Sequence, residues 1–402
     1  MKITKRIYDH MIMEHLDSYR QMAFVCGPRQ VGKTTTCGQP AGKILNWDFL
    51  EDRQRILEGP GKLEASLELS NISKHPNTLL FDELHKYPSW KQFLKGFYDA
   101  YSQDLKIIVT GSSRLDTYRR VGDSLMGRYF LYHMHPFSVA ELSRISLPTP
   151  RDLIREPAPV QEDDFIALWT FGGFPDPFLR RDPQFSVRWQ RLRRQQLVRE
   201  DLRELTQIQY VDQFEVLTRI LDQRSGEQIV FSNLSNEVRV SIETIRQWIT
   251  TLENLHHGFL IRPWFKNISR SLRKEPKWYL RDWASVTDPG KRAETFTACH
   301  LLKAVDGWND LGLGEFQLGY LRDKEKREVD FIVIRDQQPW FLVEAKSSQT
   351  AVSESLRYFQ EQLGVPFAFQ VVQQMDYADV NCFRERRTPW VVPARTFLSQ
   401  LI

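Results

Sequence analysis

The run Gly27-Pro28-Arg29-Gln30-Val31-Gly32-Lys33-Thr34-Thr35 follows the apolar stretch Met22-Ala23-Phe24-Val25-Cys26 and fits the spacing G-x-x-x-x-G-K-[ST]. Glycines at that spacing let backbone N–H groups curl around a polyphosphate. The Lys33 ammonium then reaches the outer phosphates, and the Thr34 hydroxyl is placed to hold a Mg²⁺ ion. The helix that follows would point its positive end at the same anion. Thr78-Leu79-Leu80-Phe81-Asp82-Glu83 is an apolar strand ending in two acids, a costly pattern unless something answers the charge. Asp82 would hold the Mg²⁺, directly or through water, and Glu83 would orient or deprotonate the attacking water. A third strand, Lys106 to Thr110, runs into Gly111-Ser112-Ser113, where the Ser112 hydroxyl could sense the last phosphate. Together these residues imply a site for a nucleotide and Mg²⁺.

A second group lies in the last third of the chain. Glu328-Val329-Asp330-Phe331-Ile332-Val333-Ile334 and Trp340-Phe341-Leu342-Val343-Glu344-Ala345-Lys346 are strand patterns. Residues two apart on a strand face the same way, so Glu344 and Lys346 project together and can converge with Asp330. Glu294, on a helix expected over 293–305, could add a third acid. Two carboxylates and a carbonyl suit Mg²⁺, and a neighbouring lysine can position a water for phosphodiester attack. A Glu-x-Lys pair on an exposed strand face is equally a common salt-bridge pattern.

The elements needed to position these residues are legible. The first 150 or so residues alternate short apolar strands with helices, as a parallel sheet covered by helices does. Ile44 to Asp48 reads as the second strand, and Trp90, Phe93, Leu94, Phe97 and Tyr98 form a core stripe at helical spacing. After Phe137 the chain turns helical, broken by proline-rich connections at 147–150 and 156–159 and by the loop Phe171-Gly172-Gly173-Phe174, whose glycines suggest a close backbone approach. A helix over 187–205 carries many arginines paired with acids, the pattern of a solvated face, the alternative being an anion-binding surface that lines a nucleic-acid path.

Phe214 to Leu221, a short helix at 234–238 and a longer helix capped by Ser241 have a helix-turn-helix rhythm. In the last of these Ile242, Ile245, Ile249, Leu252 and Leu255 form the expected buried stripe, leaving Thr244, Arg246 and Gln247 outward to meet a major groove. Residues 257–261 and 262–265 read as a hairpin wing. Between Arg262 and Arg281 the basic residues Arg270, Arg273, Lys274 and Lys277 alternate with Trp264, Phe265, Trp278 and Tyr279, suited to phosphates and base faces. His256 and His257 read as surface residues.

The formal charge of +4 over 402 residues permits a nucleic-acid partner without requiring one. The four cysteines lack metal-ligand spacing, which suits a reducing compartment. No apolar run approaches membrane-spanning length and the first twenty residues lack a signal-peptide pattern, so a cytoplasmic, membrane-free protein is expected.

The motifs at 27–35, 81–83 and 110–113, with Leu125-Met126-Gly127-Arg128 and Pro136-Phe137-Ser138, resemble the bacterial and archaeal AAA-type ATPases. The likeness is to the subgroup whose carboxy-terminal half is a domain of unknown function. Glu328 to Phe331 and Glu344-Ala345-Lys346 match what that subgroup carries and resemble the PD-(D/E)xK nuclease core. The resemblance implies ATP with Mg²⁺, and it makes Arg128 and Arg114 candidates for an arginine finger, acting in their own subunit or a neighbour's. The expected fold is α/β: a P-loop parallel sheet over 1–136, a helical lid over 137–205, an α-rich winged helix over 206–265 and a restriction-endonuclease-like α/β domain over 266–402. The expected function is an ATPase driving a module that binds nucleic acid, DNA first among them, and could cut it. The alternative is an ATP-controlled switch that docks a protein partner through an inactive nuclease-like fold.

Overall fold

The computed structural model describes residues 5–67, 77–111, 125–197, 211–265, 275–384 and 386–402. It divides into two compact units, residues 1–135 with 145–147, and residues 136–144 with 148–402.

In the first unit the helix α1 (Ile7–Ser18) precedes β1 (Met22–Cys26), and the phosphate-loop residues lead into α2 (Lys33–Gly38). There follow β2 (Lys43–Asn46), α3 (Leu50–Leu57), α4 (Pro60–Leu67), β3 (Asn77–Asp82), α5 (Trp90–Tyr101), β4 (Leu105–Thr110) and β5 (Tyr129–His133). The sheet has the order β2-β3-β4-β1-β5, and each neighbouring pair is parallel. Because β4 lies between β3 and β1, the carboxyl ends of these three strands stand side by side. That is where the loop after Cys26, the acids at 82–83 and Thr110 meet. The expected stripe on α5 is core: Trp90, Phe93, Leu94, Phe97 and Tyr98 are all buried, and Phe93 and Phe97 meet the Phe81 ring edge-on at 5.7 and 5.4 Å.

The second unit opens with α6 (Val139–Ser143), α7 (Glu162–Phe171), α8 (Pro175–Arg180) and α9 (Pro183–Gln196). Next come α10 (Val211–Gln223), β6 (Glu227–Gln228), α11 (Phe231–Val238), α12 (Ile242–Asn254), β7 (Gly258–Pro263) and β8 (Lys277–Leu280). Helix α13 (Pro289–Asp310), strands β9 (Phe316–Arg322), β10 (Glu328–Arg335) and β11 (Gln338–Lys346), α14 (Glu354–Leu363), β12 (Phe367–Val372), β13 (Trp390–Pro393) and α15 (Ala394–Ser399) complete it. The strands form a single eight-stranded sheet in the order β13-β12-β11-β10-β9-β7-β8-β6.

Three expectations change. The hairpin is not 257–261 against 262–265: β7 runs straight through to Pro263 and pairs antiparallel with β8. The end of β7 also pairs in parallel with β9 at Gly319 and Tyr320, so the sheet runs across the boundary expected at residue 265. On α12, capped by Ser241 as expected, Ile242 is 44% exposed. Trp248 takes its place in the apolar cluster with Ile245, Ile249 and Leu252.

The glycine loop makes the expected close approach. A Cβ at Gly173 would lie 2.6 Å from both the Phe137 carbonyl oxygen and the Trp283 ring, and the Gly173 carbonyl accepts from Phe137 N at 2.7 Å. Phe137 belongs to a segment that α13 holds firmly. Val139 N donates to His300 Nε2 at 3.0 Å, and the buried Lys303 ammonium donates to Glu141 at 2.6 Å and to the Pro136 carbonyl at 3.1 Å. Among the described residues no helix is long and apolar enough to cross a membrane, and all four cysteines are free.

His300 accepts at Nε2 and donates from Nδ1 to the Phe296 carbonyl at 2.7 Å, so a second ring proton would oppose the Val139 N–H. Burial pushes its pKa down to about 3. A depressed histidine stabilises the fold above its unfolded pKa of about 6.5, and this is lost as pH falls towards the folded value. Between pH 7 and pH 5 wild type should lose about 2 kcal/mol more stability than His300→Gln, whose amide oxygen can still accept from Val139. Denaturant unfolding at the two pH values reads this, and parallel losses in both chains would contradict it.

Candidate functional site

The loop from Gly27 to Gly32 leaves β1 and enters α2, with Lys33 at the first helical position. It is built for close approach: a Cβ at Gly27 would sit 2.3 Å from the Met134 carbonyl oxygen, and Gly27 has a φ of 150° that side-chain-bearing residues rarely adopt. Lys33 is buried, and its ammonium donates to the carbonyls of Gly27 and Pro28, both at 2.9 Å. Burial lowers its pKa, opposed by the nearby Glu83. Thr34 and Thr35 are exposed at the start of α2.

Asp82 is the hub. Its carboxylate accepts from Thr34 Oγ1 at 2.9 Å, Asn46 Nδ2 at 3.2 Å and Thr110 Oγ1 at 2.5 Å. Burial pushes its pKa up, and the two hydroxyls work against that shift. A Thr hydroxyl and an Asp carboxylate side by side beneath a phosphate loop are hard oxygen ligands of the kind Mg²⁺ takes beside a triphosphate, so the residues fit that ion. Glu83 follows in the left-handed region, φ 57°, with its amide donating to the Thr110 carbonyl at 3.0 Å. Its carboxylate lies 3.4 Å from Lys86 Nζ, which also pairs with Asp48 at 2.7 Å. Arg128 makes a two-pronged, solvent-exposed pair with Asp99, at 2.8 and 3.1 Å. Ser112 and Arg114 lie outside the described residues.

In the second unit Glu294, Asp330, Glu344 and Lys346 do come to one region of the sheet, with partners the sequence reading did not expect. Lys277 Nζ lies 2.9 Å from Glu294, 2.7 Å from Glu328 and 3.5 Å from Asp330. The Tyr279 hydroxyl donates to Glu294 at 2.7 Å, and Asp330 accepts from Ala345 N at 2.9 Å. Lys346 pairs with Glu344 at 2.8 Å, as the two-residue spacing predicted. Burial raises the pKa of Glu294 and of Glu344, and the neighbouring Asp330 raises both further. Burial works against the Lys277 ammonium, yet Tyr279 and the surrounding carboxylates hold it above the ordinary lysine range. Glu344 Oε2 is buried without a hydrogen-bond partner among the described residues. As the side chains stand, no group of three or more acids, histidines or cysteines among the described residues is arranged to hold a metal ion.

Lys277, Trp278 and Tyr279 therefore leave the expected nucleic-acid surface. Trp278 and Tyr279 are fully buried and cannot stack on bases, and Lys277 is already neutralised. Arg246 and Gln247 are exposed on α12 and Thr244 is half-buried. Arg246 stacks over the Phe231 ring at 4.7 Å. Arg270, Arg273 and Lys274 lie outside the described residues. His256 is buried rather than a surface residue, and His257 pairs with Asp222 at 2.8 Å.

Residues 19–143 match the family described as an AAA domain. This stretch is similar to AAA-type P-loop domains. Beyond it, residues 162–286 and 289–396 match two domains of unknown function, DUF8612 and DUF4143. Uncharacterized proteins of Mycobacterium tuberculosis and Mycobacterium bovis are each 23% identical over 344 residues, covering 84% of this chain and 73% of theirs. One from Methanocaldococcus jannaschii is 23% identical over 255 residues, 59% of this chain and 55% of its own. Among solved structures, a RuvB variant of Thermotoga maritima aligns over 63% of this chain and 88% of its own, with 15% identity and a TM-score of 0.30. AMPPCP-bound DnaA of Aquifex aeolicus aligns over 61% and 86%, with 12% identity and a TM-score of 0.29.

The first unit also contains a residue that motif reading passed over. Arg6, just before α1, is 5% exposed, and its guanidinium donates to the carbonyls of Val31 at 2.9 Å and His135 at 2.7 Å. It ties the phosphate loop to the chain leaving β5. Its only sequence signal is a charged residue at the head of an apolar helix. Asn46 and Lys86 were missed for the same reason, since neither belongs to a spaced motif. Arg6→Ala should weaken ATP binding about tenfold, because a hydrogen bond from a charged donor contributes about 1.5–3 kcal/mol. Titration with a fluorescent ATP analogue reads this, and an unchanged affinity in a folded variant would remove Arg6 from the loop's support.

Proposed function

We propose that the chain is a Mg²⁺-dependent ATPase whose nucleotide state drives a carboxy-terminal module that binds nucleic acid, DNA in the first instance. The observation carrying this reading is the Thr34 hydroxyl on the Asp82 carboxylate at 2.9 Å, directly after the lysine that caps the phosphate loop. Thr34 and Asp82 would hold Mg²⁺, which supplies positive charge to the β- and γ-phosphates. Lys33 gives up the Gly27 and Pro28 carbonyls for phosphate oxygens, and Glu83 accepts a proton from the attacking water once it leaves Lys86. ATP is preferred over GTP on family likeness. Four free cysteines suit a reducing compartment such as the cytoplasm.

The module's support is the helical trio α10 to α12 followed by paired strands, a winged-helix arrangement, with Arg246 and Gln247 exposed on the third helix. Arg270, Arg273 and Lys274 would add phosphate contacts. The last part of the chain, a helix followed by strands β9, β10 and β11 bearing Asp330, Glu344 and Lys346, supports a PD-(D/E)xK-like core. A second reading, an ATP-controlled switch that docks a protein through an inactive core of this kind, is favoured by one observation. Lys277 already pairs with Glu294 and Asp330, two of the carboxylates that cleavage would need.

ATP turnover measured with and without DNA separates the readings, with Lys33→Ala as the blank. Stimulation by DNA supports the first, and a DNA-indifferent rate supports the protein-docking switch. Glu83→Gln should retain ATP while slowing turnover about 10²-fold or more, the range for loss of a general base. Undiminished turnover in that variant would take Glu83 out of the mechanism.

A further inference from the structure

The carboxylates of Glu294 on α13 and of Glu328 and Asp330 at the start of β10 converge on a single point, and that point holds the Lys277 nitrogen. We propose that the Lys277 ammonium is the resident cation of this site, standing where a divalent ion would stand, and that the chain acquires a metal site there only when Lys277 is removed.

The geometry is that of a filled position. An ammonium has three N–H donors; Glu294 at 2.9 Å and Glu328 at 2.7 Å lie at hydrogen-bond distance, and Asp330 at 3.5 Å completes the ion-pair shell. Two of the three oxygens left over are also engaged: Glu328 accepts from Arg322 at 2.5 Å on its other oxygen, and Asp330 accepts from Ala345 N at 2.9 Å on its other oxygen. The Lys277 side chain is 4% exposed. Its strand is hydrogen-bonded on both sides, to β6 and to β7, so the backbone that carries the lysine is held in place. A bound Mg²⁺ would require near-octahedral oxygen ligation at about 2.0–2.1 Å with several waters. The buried ammonium leaves room for neither. Glu344, the remaining acid, is neutralised separately by Lys346 at 2.8 Å. The pattern Asp330, Glu344, Lys346 therefore survives in sequence while its positive charge is supplied from within the chain.

This inference concerns the same carboxylates as the nuclease-like reading, and its test reads metal binding, so it stands or falls separately from ATP turnover. The full chain is titrated with Mn²⁺ without nucleotide and followed by electron paramagnetic resonance, with thermal unfolding in parallel. Wild type and Glu294→Gln should give the same isotherm, any weak binding at the phosphate loop being common to both. Lys277→Met should gain one further equivalent of Mn²⁺ and a higher unfolding midpoint in its presence, and adding Glu294→Gln should abolish both gains. If Lys277→Met does not fold, Lys277→Gln, which keeps a donor for the carboxylates, reads the same outcome. A wild-type Mn²⁺ equivalent lost in Glu294→Gln would overturn the proposal, as would failure of both Lys277 variants to gain one.

Discussion

Asp82 follows the apolar run Leu79-Leu80-Phe81 at the end of its strand with 3% of its surface exposed, and a carboxylate so placed persists only if donors replace the water it has lost. Removing an ion from water costs several kcal/mol after relaxation, while a hydrogen bond from or to a charged group returns about 1.5–3. Thr34, Asn46 and Thr110 supply three such bonds, so the two sides are of similar size. Those donors come from α2, β2 and β4. Satisfying one charge thus fixes the strand order around β3 and the position of the helix that starts at the phosphate loop. Arg6 extends the same logic to the loop itself, where a buried guanidinium answers carbonyls that the sheet leaves free.

The second unit meets the constraint with the opposite sign at its centre. Lys277 is a buried cation held by Glu294, Glu328 and Asp330, from a helix and a strand that are distant from it in sequence. A buried pair broken on one side leaves an uncompensated charge and is strongly destabilising, whereas the intact cluster is near balance. The cluster joins β8, β10 and α13.

Glycine and α13 govern the start of that unit. Gly173 allows its backbone to touch Phe137, and His300 and Lys303 hold the same segment through Val139, Glu141 and Pro136. Any side chain at Gly173 would strike backbone rather than a mobile tip, so the loop's conformation follows from its composition.

The sequence by itself determined the phosphate loop, the acid-ended strand and the α5 stripe, because each depends on local spacing: a turn that glycine permits, a two-residue strand period, a helical period. It also put Glu344 and Lys346 on one face, for the same reason, and left open whether they would pair. It placed Ile242 in the buried stripe and passed over Trp248, since both fit a helical stripe and only packing selects between them. Trp278, Tyr279 and Lys277 read as a basic aromatic surface because composition carries no record of burial. Tertiary structure alone decided that β8 would lie between β6 and β7, and with it that Lys277 would face three carboxylates rather than solvent. Charge partners are set by which strands become neighbours, and strand order is a long-range property that no spacing within a strand encodes.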